Sequence, residues 1–366
     1  MIGLYLHIPF CSLLCPYCDF VKAKDRHEDR EAFVRALVAE IGQFEGPGEA
    51  KSIYFGGGTP SLLTPEQLER IFEALHGRFQ LHGPEVTLEA NPEDVDDGRL
   101  EAWVRLGVTR VSVGVQSLDD ASLRFLGRNH DAASAMRACR AVAERFDSWN
   151  LDLIFGLPSE KGWYLTLELA HALTPPHLSA YGLTYEPRTP FYQRRGDAVQ
   201  DDVFLRQYWE VAETLPHLRR YEVSNLAVPG HESRHNLIYW RNEEYAGFGP
   251  GAYSFLGGVR ARNHASIRRW QEVPGEKCES LALSGNEQRV ETVIQGLRLA
   301  EGIAHARYEA RFQSRMADDF AAPLAELTRL GLIHDDGAAV RPTRRGFELN
   351  DEIGLALVQP GLAAQA

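Results

Sequence analysis

Six short apolar runs, rich in β-branched and aromatic residues, recur through the first half of the chain. The runs are GLYLHI (3–8), KSIYF (51–55), EVTLEA (85–90), VTRVSVGV (108–115), WNLDLIF (149–155) and HLSAYGL (177–183). Near-continuous apolar runs of this length are typical of parallel strands, because such strands are buried on both faces. The pattern therefore predicts six parallel strands.

The stretches between these runs have the pattern of amphipathic helices. Phe33, Leu37 and Ile41 repeat at helical spacing. Thr64 and Gln67 have the spacing of a capping box, which predicts that another helix starts there. Strands and helices that alternate through right-handed crossovers form a parallel sheet. The predicted fold is α/β, with six units in a complete or incomplete parallel (β/α)6 barrel.

The alternation ends near residue 190, which predicts a first domain over residues 1–190. Residues 191–285 mix aromatic, arginine-rich and glycine-rich segments without a clear repeat. In residues 286–366, helical stretches precede two short strands that flank an Asp-Asp-Gly turn starting at Asp335. This order predicts a C-terminal α+β module of the winged-helix type, with a role in packing or docking.

The net charge of the chain limits the kinds of molecule that we expect it to bind. The chain of 366 residues carries 51 acidic and 39 basic residues, a formal net charge of −12. This balance disfavours nucleic-acid binding, even by a winged-helix-type module, because phosphate backbones attract an excess of Lys and Arg. No apolar run approaches the roughly 20 residues that span a bilayer, and no signal peptide is recognisable. We expect a cytoplasmic protein without a transmembrane segment.

Three of the five cysteines lie within eight residues, in the segment HIPFCSLLCPYCDF after the first predicted strand. Cys11, Cys15 and Cys18 have the spacing C-x3-C-x2-C, and thiolates are ligands for zinc and iron–sulfur clusters. A closed zinc site needs four protein ligands, and His7 or His27 could supply the fourth. Three unliganded cysteines are the other alternative. A four-iron cluster on three cysteines instead leaves one iron open to a small molecule.

Polar and glycine residues stand at the ends of successive predicted strands, where a barrel of this class carries its function. They are Gly57, Gly58 and Thr59 after the second strand, Glu89 in the third, Gln116 after the fourth, Asp152 in the fifth, and Arg128 in LGRNH. A glycine triplet alone is usually a tight turn, and one carboxylate is usually a satisfied structural group. Four polar residues at successive strand ends beside a cysteine loop predict one shared pocket.

These motifs resemble those of the radical S-adenosylmethionine superfamily. In that superfamily three cysteines hold a 4Fe-4S cluster, and the methionine end of S-adenosylmethionine binds the open iron. An electron from the cluster then splits the sulfonium and gives a 5′-deoxyadenosyl radical. The resemblance implies S-adenosylmethionine contacts for Tyr5, Gly57, Gly58, Thr59, Glu89, Gln116, Arg128 and Asp152. It also implies that Tyr17, between the second and third cysteines, packs near the adenine.

The whole chain is similar to the oxygen-independent coproporphyrinogen III oxidase family, and more closely to its haem-chaperone branch, HemW. Later matches are YEVSNLA (221–227), HNLIYW (235–240), GFGPGAYS (247–254) and the following Arg262-Asn263. The oxidase has a further cysteine two residues after the third, where this chain has Phe20. The oxidase also has an N-terminal extension, whereas Cys11 lies close to the start here. Both differences favour the chaperone over the enzyme.

HNLIYW is the candidate haem-binding segment. Neutral imidazole is the commonest protein ligand of haem iron. The resemblance implies that His235 is the ligand and that Tyr239 and Trp240 pack on the porphyrin, although such a segment is otherwise often a hydrogen-bonded loop. Weaker candidate ligands are His7, His231 and His264.

Two functions follow from the resemblance. The first is a haem chaperone that binds haem, a 4Fe-4S cluster and S-adenosylmethionine and delivers haem to client haem proteins, including membrane-bound respiratory enzymes. The alternative is a coproporphyrinogen III dehydrogenase, which decarboxylates coproporphyrinogen III to protoporphyrinogen IX. We expect the chaperone, without the dehydrogenase activity.

Overall fold

A 12-stranded sheet and a three-stranded sheet organise residues 1–358, the part of the chain that the computed structural model describes. The strands are β1 (Ile2–Ile8), β2 (Phe10–Cys11), β3 (Ala23–Lys24), β4 (Glu49–Gly57), β5 (Gln80–Ala90), β6 (Arg110–Gln116), β7 (Ser148–Phe155), β8 (His177–Gly182), β9 (Arg219–Arg220), β10 (Asn225–Ala227), β11 (Tyr245–Phe248), β12 (Tyr253–Leu256), β13 (Val259–Asn263), β14 (Lys277–Ala282), β15 (Ile303–Ala304), β16 (Ile333–Asp335) and β17 (Ala339–Pro342).

Helices connect and cover these strands. They are α1 (His27–Gly42), α2 (Pro65–Arg78), α3 (Asp97–Arg105), α4 (Asp120–Leu126), α5 (Ala132–Ala143), α6 (Glu160–Leu173), α7 (Asp201–Thr214), α8 (Arg234–Trp240), α9 (Ile267–Glu272), α10 (Gly285–Gly296), α11 (His305–Phe312), α12 (Met316–Asp319), α13 (Ala321–Arg329), α14 (Arg344–Glu348) and α15 (Asn350–Val358). Within residues 1–358, none of these helices has both the length and the apolar character needed to cross a bilayer.

The six predicted strands form one parallel run in the order β1-β4-β5-β6-β7-β8, which confirms the α/β fold class. Helices lie between consecutive strands of this run. The capping box at α2 is also confirmed, because the Thr64 hydroxyl accepts from Gln67 N–H and the Gln67 side chain accepts from Thr64 N–H. The strand–helix alternation in the sequence therefore predicted the frame of the fold.

Each strand of this run has an apolar and a more polar face. On β1, Leu4 and Leu6 are fully buried in the main core, as are Phe33 and Leu37 of α1. Because side chains alternate along a strand, Tyr5 projects from the opposite face of β1. That second face is where polar side chains gather, and it leads to the site described below.

The residues after 190 extend the same sheet at both edges. On one side β10 and β9 continue from β8 in antiparallel pairing. On the other side β11 pairs parallel with β1, and β12, β13 and β14 follow antiparallel. The sequence did not predict these strands. In space, residues 191–285 flank the six-stranded run, and the domain boundaries at 190 and 285 stay predictions.

The C-terminal module has its own small sheet, in the order β15-β17-β16, and its own apolar core. Helices α10, α11 and α13 precede the β16–β17 pair, which encloses the predicted Asp-Asp-Gly turn. This arrangement confirms the winged-helix-like order of elements. The module docks on α7, where Trp209 Nε1 donates to Glu348 Oε1 at 2.8 Å.

Candidate functional site

A cavity of about 520 Å³ opens at the carboxyl ends of the parallel strands, beside the cysteine loop. The loop and the strand ends both contribute to its lining. The predicted residues in the lining are Cys11, Cys15, Tyr17, Cys18, Gly57, Gly58, Thr59, Glu89, Gln116, Arg128 and Asp152. The structure therefore brings together the predicted pocket residues, with the exception of Tyr5.

Backbone hydrogen bonds hold both ends of the cysteine loop. Cys11 ends β2, which pairs with β3, and its carbonyl accepts from Asp25 N–H at 2.9 Å. A turn joins the other two cysteines, because Cys18 N–H donates to the Cys15 carbonyl at 3.3 Å. All three thiols are free. Burial raises the pKa of the Cys11 thiol to about 11, so a metal has to displace its proton on binding.

Neither histidine considered as a fourth zinc ligand lines the cavity. His7 is buried, its Nε2 hydrogen-bonds to the Val21 carbonyl at 2.7 Å, and its Nδ1 hydrogen-bonds to the Tyr5 hydroxyl at 3.1 Å. His27 begins α1 and does not line the cavity. Among the described residues the cavity lining contains no histidine. Three cysteines without a histidine suit a cluster with one open iron, whereas a closed zinc site would have to draw its fourth ligand from the carboxylates of the lining.

Two glycines at the carboxyl end of β4, Gly57 and Gly58, bring the backbone close to the cysteine loop. Gly57 has a φ of +107°, and a Cβ there would lie 2.4 Å from His7 Nδ1. A Cβ on Gly58 would lie 2.6 Å from the Phe10 carbonyl oxygen. No side chain fits at either position. The bare backbone therefore forms one wall of the cavity.

Hydrogen bonds fix both carboxylate oxygens of Glu89 in the cavity wall. Its Oε1 accepts from the Tyr54 hydroxyl at 2.7 Å, and its Oε2 accepts from Gly57 N–H at 3.1 Å. Burial is the main reason that its pKa rises to about 7, and the charge of Asp152 adds to the rise. A carboxylate held in this way favours a ligand that brings positive charge.

Asp152 is the second carboxylate and sits in a polar layer between strands. Its oxygens accept from Ser112 Oγ at 2.8 Å and from Asn150 Nδ2 at 2.7 Å. Burial raises the pKa of Asp152 as well, although these hydrogen bonds oppose the rise. Two buried carboxylates in one cavity repel each other, and a cationic ligand relieves that repulsion.

Arg128 places a positive charge beside Cys15. Its Nη2 donates to Asn91 Oδ1 at 2.7 Å and to the Gly114 carbonyl at 2.8 Å. Its Nη1 lies 3.5 Å from Cys15 Sγ. Gln116, at the end of the same strand as Gly114, has a φ of +68°, an uncommon conformation for a residue with a side chain. Strain of this kind is often found at binding sites.

Tyr5 of β1 and His235 of α8 lie behind the cavity, where both pack against Tyr54. The Tyr5 ring stacks on Tyr54 at 6.1 Å, and the His235 ring lies 5.1 Å from Tyr54. His235 is 0% exposed. Its Nδ1 hydrogen-bonds to Ser52 Oγ and its Nε2 to the Tyr239 hydroxyl, both at 2.8 Å. Because Ser52 is near the amino end of β4, the structure places His235 at the opposite end of the strands from the cysteines.

The other candidate haem residues are also apart from the cavity. Trp240 ends α8 and lies under the Arg298 guanidinium at 4.4 Å, beside a pocket of about 20 Å³. His264 Nε2 hydrogen-bonds to Glu276 at 3.0 Å. His231 follows β10 and is half-buried. The haem ligand therefore stays a prediction from the resemblance, and a haem bound at Nε2 of His235 would have to displace Tyr239.

Several functional side chains were missed in the sequence. They are Tyr54, Asn91, Ser112, Asn150 and Tyr181, which line the cavity or fix its carboxylates. A signal was available, since most of these side chains are polar interruptions of the apolar runs. A polar side chain inside a strand that is buried on both faces must have a partner.

Comparison with known proteins agrees with the fold described above. The radical SAM superfamily profile matches residues 5–167, and the HemN C-terminal domain profile matches residues 283–349. The solved structure of coproporphyrinogen III oxidase (HemN) from Escherichia coli, a radical SAM enzyme, superposes with a TM-score of 0.85. The superposition covers 97% of this chain and 89% of the HemN chain, at 24% sequence identity. The match therefore shows that the two chains share a fold.

Sequence relatives identify the family within that class. The heme chaperone HemW of Lactococcus lactis is 33% identical in an alignment of 366 positions that covers 95% of each chain. The heme chaperone HemW of Bacillus subtilis is 32% identical and covers 95% of this chain and 97% of the relative. The chain belongs to the radical SAM superfamily, and within it to the family of proteins named heme chaperone HemW.

Glu89 predicts a pH dependence of stability. Its folded pKa of about 7 lies above the ordinary value of 4.5, so the native state binds this proton more tightly than the unfolded chain. The resulting stability is complete below the ordinary pKa and is lost as the pH rises through the folded pKa. Glu89→Gln should therefore make the fall in unfolding free energy between about pH 5 and about pH 8 smaller, by on the order of 2 kcal/mol.

Urea unfolding of the cluster-free parent and the Glu89→Gln variant at both pH values measures this difference. If the unfolding free energy of the variant falls between the two pH values by as much as that of the parent, Glu89 is ionised throughout in the folded protein.

Proposed function

We propose that the protein is a haem chaperone that holds a 4Fe-4S cluster and S-adenosylmethionine in the cavity and delivers haem to client haem proteins, including membrane-bound respiratory enzymes. The observation that carries the proposal is membership of the heme chaperone HemW family over 95% of the chain. We place the protein in the cytoplasm, because free thiols at a metal site need a reducing compartment.

Cys11, Cys15 and Cys18 are the proposed cluster ligands. They line one cavity, and the described lining adds no fourth cysteine or histidine. One iron of a bound cluster would therefore keep an open position. The guanidinium of Arg128 beside Cys15 Sγ compensates the negative charge that three thiolates bring to a cluster.

The proposed binding site for S-adenosylmethionine is formed by Glu89, Asp152 and the backbone of Gly57 and Gly58. Its sulfonium and ammonium groups are positive, which suits the two buried carboxylates. Thr59, Tyr17 and Gln116 complete that lining, and Tyr5 acts on it through Tyr54. The chemistry that cluster and S-adenosylmethionine supply together is reductive cleavage of a carbon–sulfur bond.

His235 is the proposed haem ligand, with Tyr239 and Trp240 as packing partners. Burial lowers the pKa of His235 to about 3, so the imidazole is neutral, as iron ligation requires. Its Nε2 is bonded to the Tyr239 hydroxyl in the haem-free structure. Haem binding at this atom therefore competes with one hydrogen bond and needs a movement of α8.

The cluster proposal predicts a pattern of cysteine variants. Cys11→Ala, Cys15→Ala and Cys18→Ala should each lose the iron and sulfide that the anaerobically reconstituted parent retains, because two thiolates do not hold the cluster. Cys139→Ala removes a buried thiol outside the cavity and Cys278→Ala an exposed one, and both should retain the cluster. Full iron content in Cys15→Ala, or zinc in the parent, would contradict the cluster assignment.

The haem proposal predicts opposite effects at two neighbouring residues. His235→Ala should abolish the imidazole-type Soret shift in a haem titration. Tyr239→Phe should keep the ring but free His235 Nε2, and so tighten haem binding about fivefold, the value of one hydrogen bond of about 1 kcal/mol. His334→Ala, at an exposed site in the C-terminal module, is the control and should bind haem like the parent.

Two outcomes would contradict the haem proposal. Parent-like spectra for both His235→Ala and Tyr239→Phe would exclude His235 as the ligand. Anaerobic formation of protoporphyrinogen IX from coproporphyrinogen III, in the presence of S-adenosylmethionine and a reductant, would favour the dehydrogenase.

A further inference from the structure

Residues 183–197, here called the wall segment, leave β8 and run along the cysteine loop. Leu183, Thr184 and Glu186 line the cavity, and the segment then enters a 3-10 helix at Pro190–Asp197. Phe191 in this helix is 2% exposed but does not line the cavity. Its burial is therefore explained by packing behind the site.

Phe191 contacts the part of the cysteine loop between the second and third cysteines. Its backbone N–H donates to the Pro16 carbonyl at 3.1 Å. Its ring meets the Tyr17 ring edge-on, with the centroids 6.0 Å apart at 63°. Pro16 and Tyr17 are the two residues that separate Cys15 from Cys18. Phe191 therefore contacts this short connection with both its backbone and its side chain.

Further aromatic packing holds Phe191 itself in place. Phe125 at the end of α4 meets its ring at 5.4 Å and 72°, and Tyr185 stacks on it at 6.1 Å. The Arg194 guanidinium lies 4.1 Å from the Phe125 centroid. Together with Leu126, Ile154, Leu157 and Leu183, these rings form a small apolar cluster separate from the main core. The residue that contacts the cysteine loop is therefore itself held by a packed apolar cluster.

A second contact joins the wall segment to the loop independently of Phe191. Arg188 Nη2 donates to Asp19 Oδ2 at 2.7 Å, directly after Cys18. The Arg188 side chain is 83% exposed, so solvent screens this ion pair and the buried aromatic contact is the stronger of the two.

We propose that Phe191 is a positioning residue that holds Cys15 and Cys18 in place before a cluster binds and slows the loss of the cluster afterwards. Fixing a loop in its binding geometry lowers the entropy cost of binding. The statement about cluster loss rests on the proposed function. The statement about the loop concerns the cluster-free protein and stands or falls on its own.

Hydrogen exchange of the cluster-free protein tests the loop directly. In Phe191→Ala, the amides of residues 12–22 should exchange about tenfold faster than in the parent. This factor is the upper range of what one aromatic pair contributes in addition to the area that it buries. Phe146→Ala is the matched control, because Phe146 is also a buried ring but precedes β7 at the opposite end of the strands. It should leave exchange in residues 12–22 unchanged.

Anaerobic iron release to a chelator tests the consequence for the cluster. Reconstituted Phe191→Ala should release iron about tenfold faster than the parent. Arg188→Ala should change the rate by about fivefold at most, the upper limit for an exposed ion pair. If Phe191→Ala does not fold, Phe191→Leu replaces it, with a smaller increase in both rates expected.

Equal exchange of residues 12–22 in the parent and in the folded Phe191 variant would overturn the proposal, whatever happens to iron. Faster exchange with parent-like iron release would overturn its second half. A parent protein that binds no iron would instead overturn the cluster assignment, while faster exchange in the cluster-free variant would still support the role of Phe191 in the loop.

Discussion

The parallel pairing of β1, β4, β5, β6, β7 and β8 is the constraint on which the site depends. Parallel strands end at one edge of a sheet, so residues that are distant in sequence meet there. Glu89, Gln116 and Asp152 come from three successive strands and line one cavity with the cysteine loop that follows β1. A shift of one strand by one residue would turn its polar residue away from the cavity.

The same arrangement has an electrostatic cost in the ligand-free protein. Glu89 and Asp152 are carboxylates in a low-dielectric interior, and their raised pKa values record that cost. Tyr54, Ser112 and Asn150 offset part of it by donating hydrogen bonds. The part of the electrostatic cost that these hydrogen bonds do not offset favours binding of a cationic ligand, because a positive group relieves the repulsion between the two carboxylates.

The sequence predicted the repetitive parts of the fold and failed where the pattern is short. The six apolar runs and the capping box at Thr64 depend on local periodicity, and both are present. The strand β11 has four residues, YAGF, too few for a period to appear. HNLIYW lies in α8, a helix of only seven residues. The motif therefore carried a resemblance but no predicted position, and the structure places His235 far from the cysteines. Long-range pairing, which no local pattern records, decides such positions.

We propose that Cys11, Cys15 and Cys18 leave one iron of a cluster open to S-adenosylmethionine beside Glu89 and Asp152. Electron paramagnetic resonance of the reduced, reconstituted protein tests this most directly, before and after addition of S-adenosylmethionine. A ligand that binds the open iron changes the g-values of the cluster signal, and we expect that change. A cluster signal that stays the same with saturating S-adenosylmethionine would contradict it.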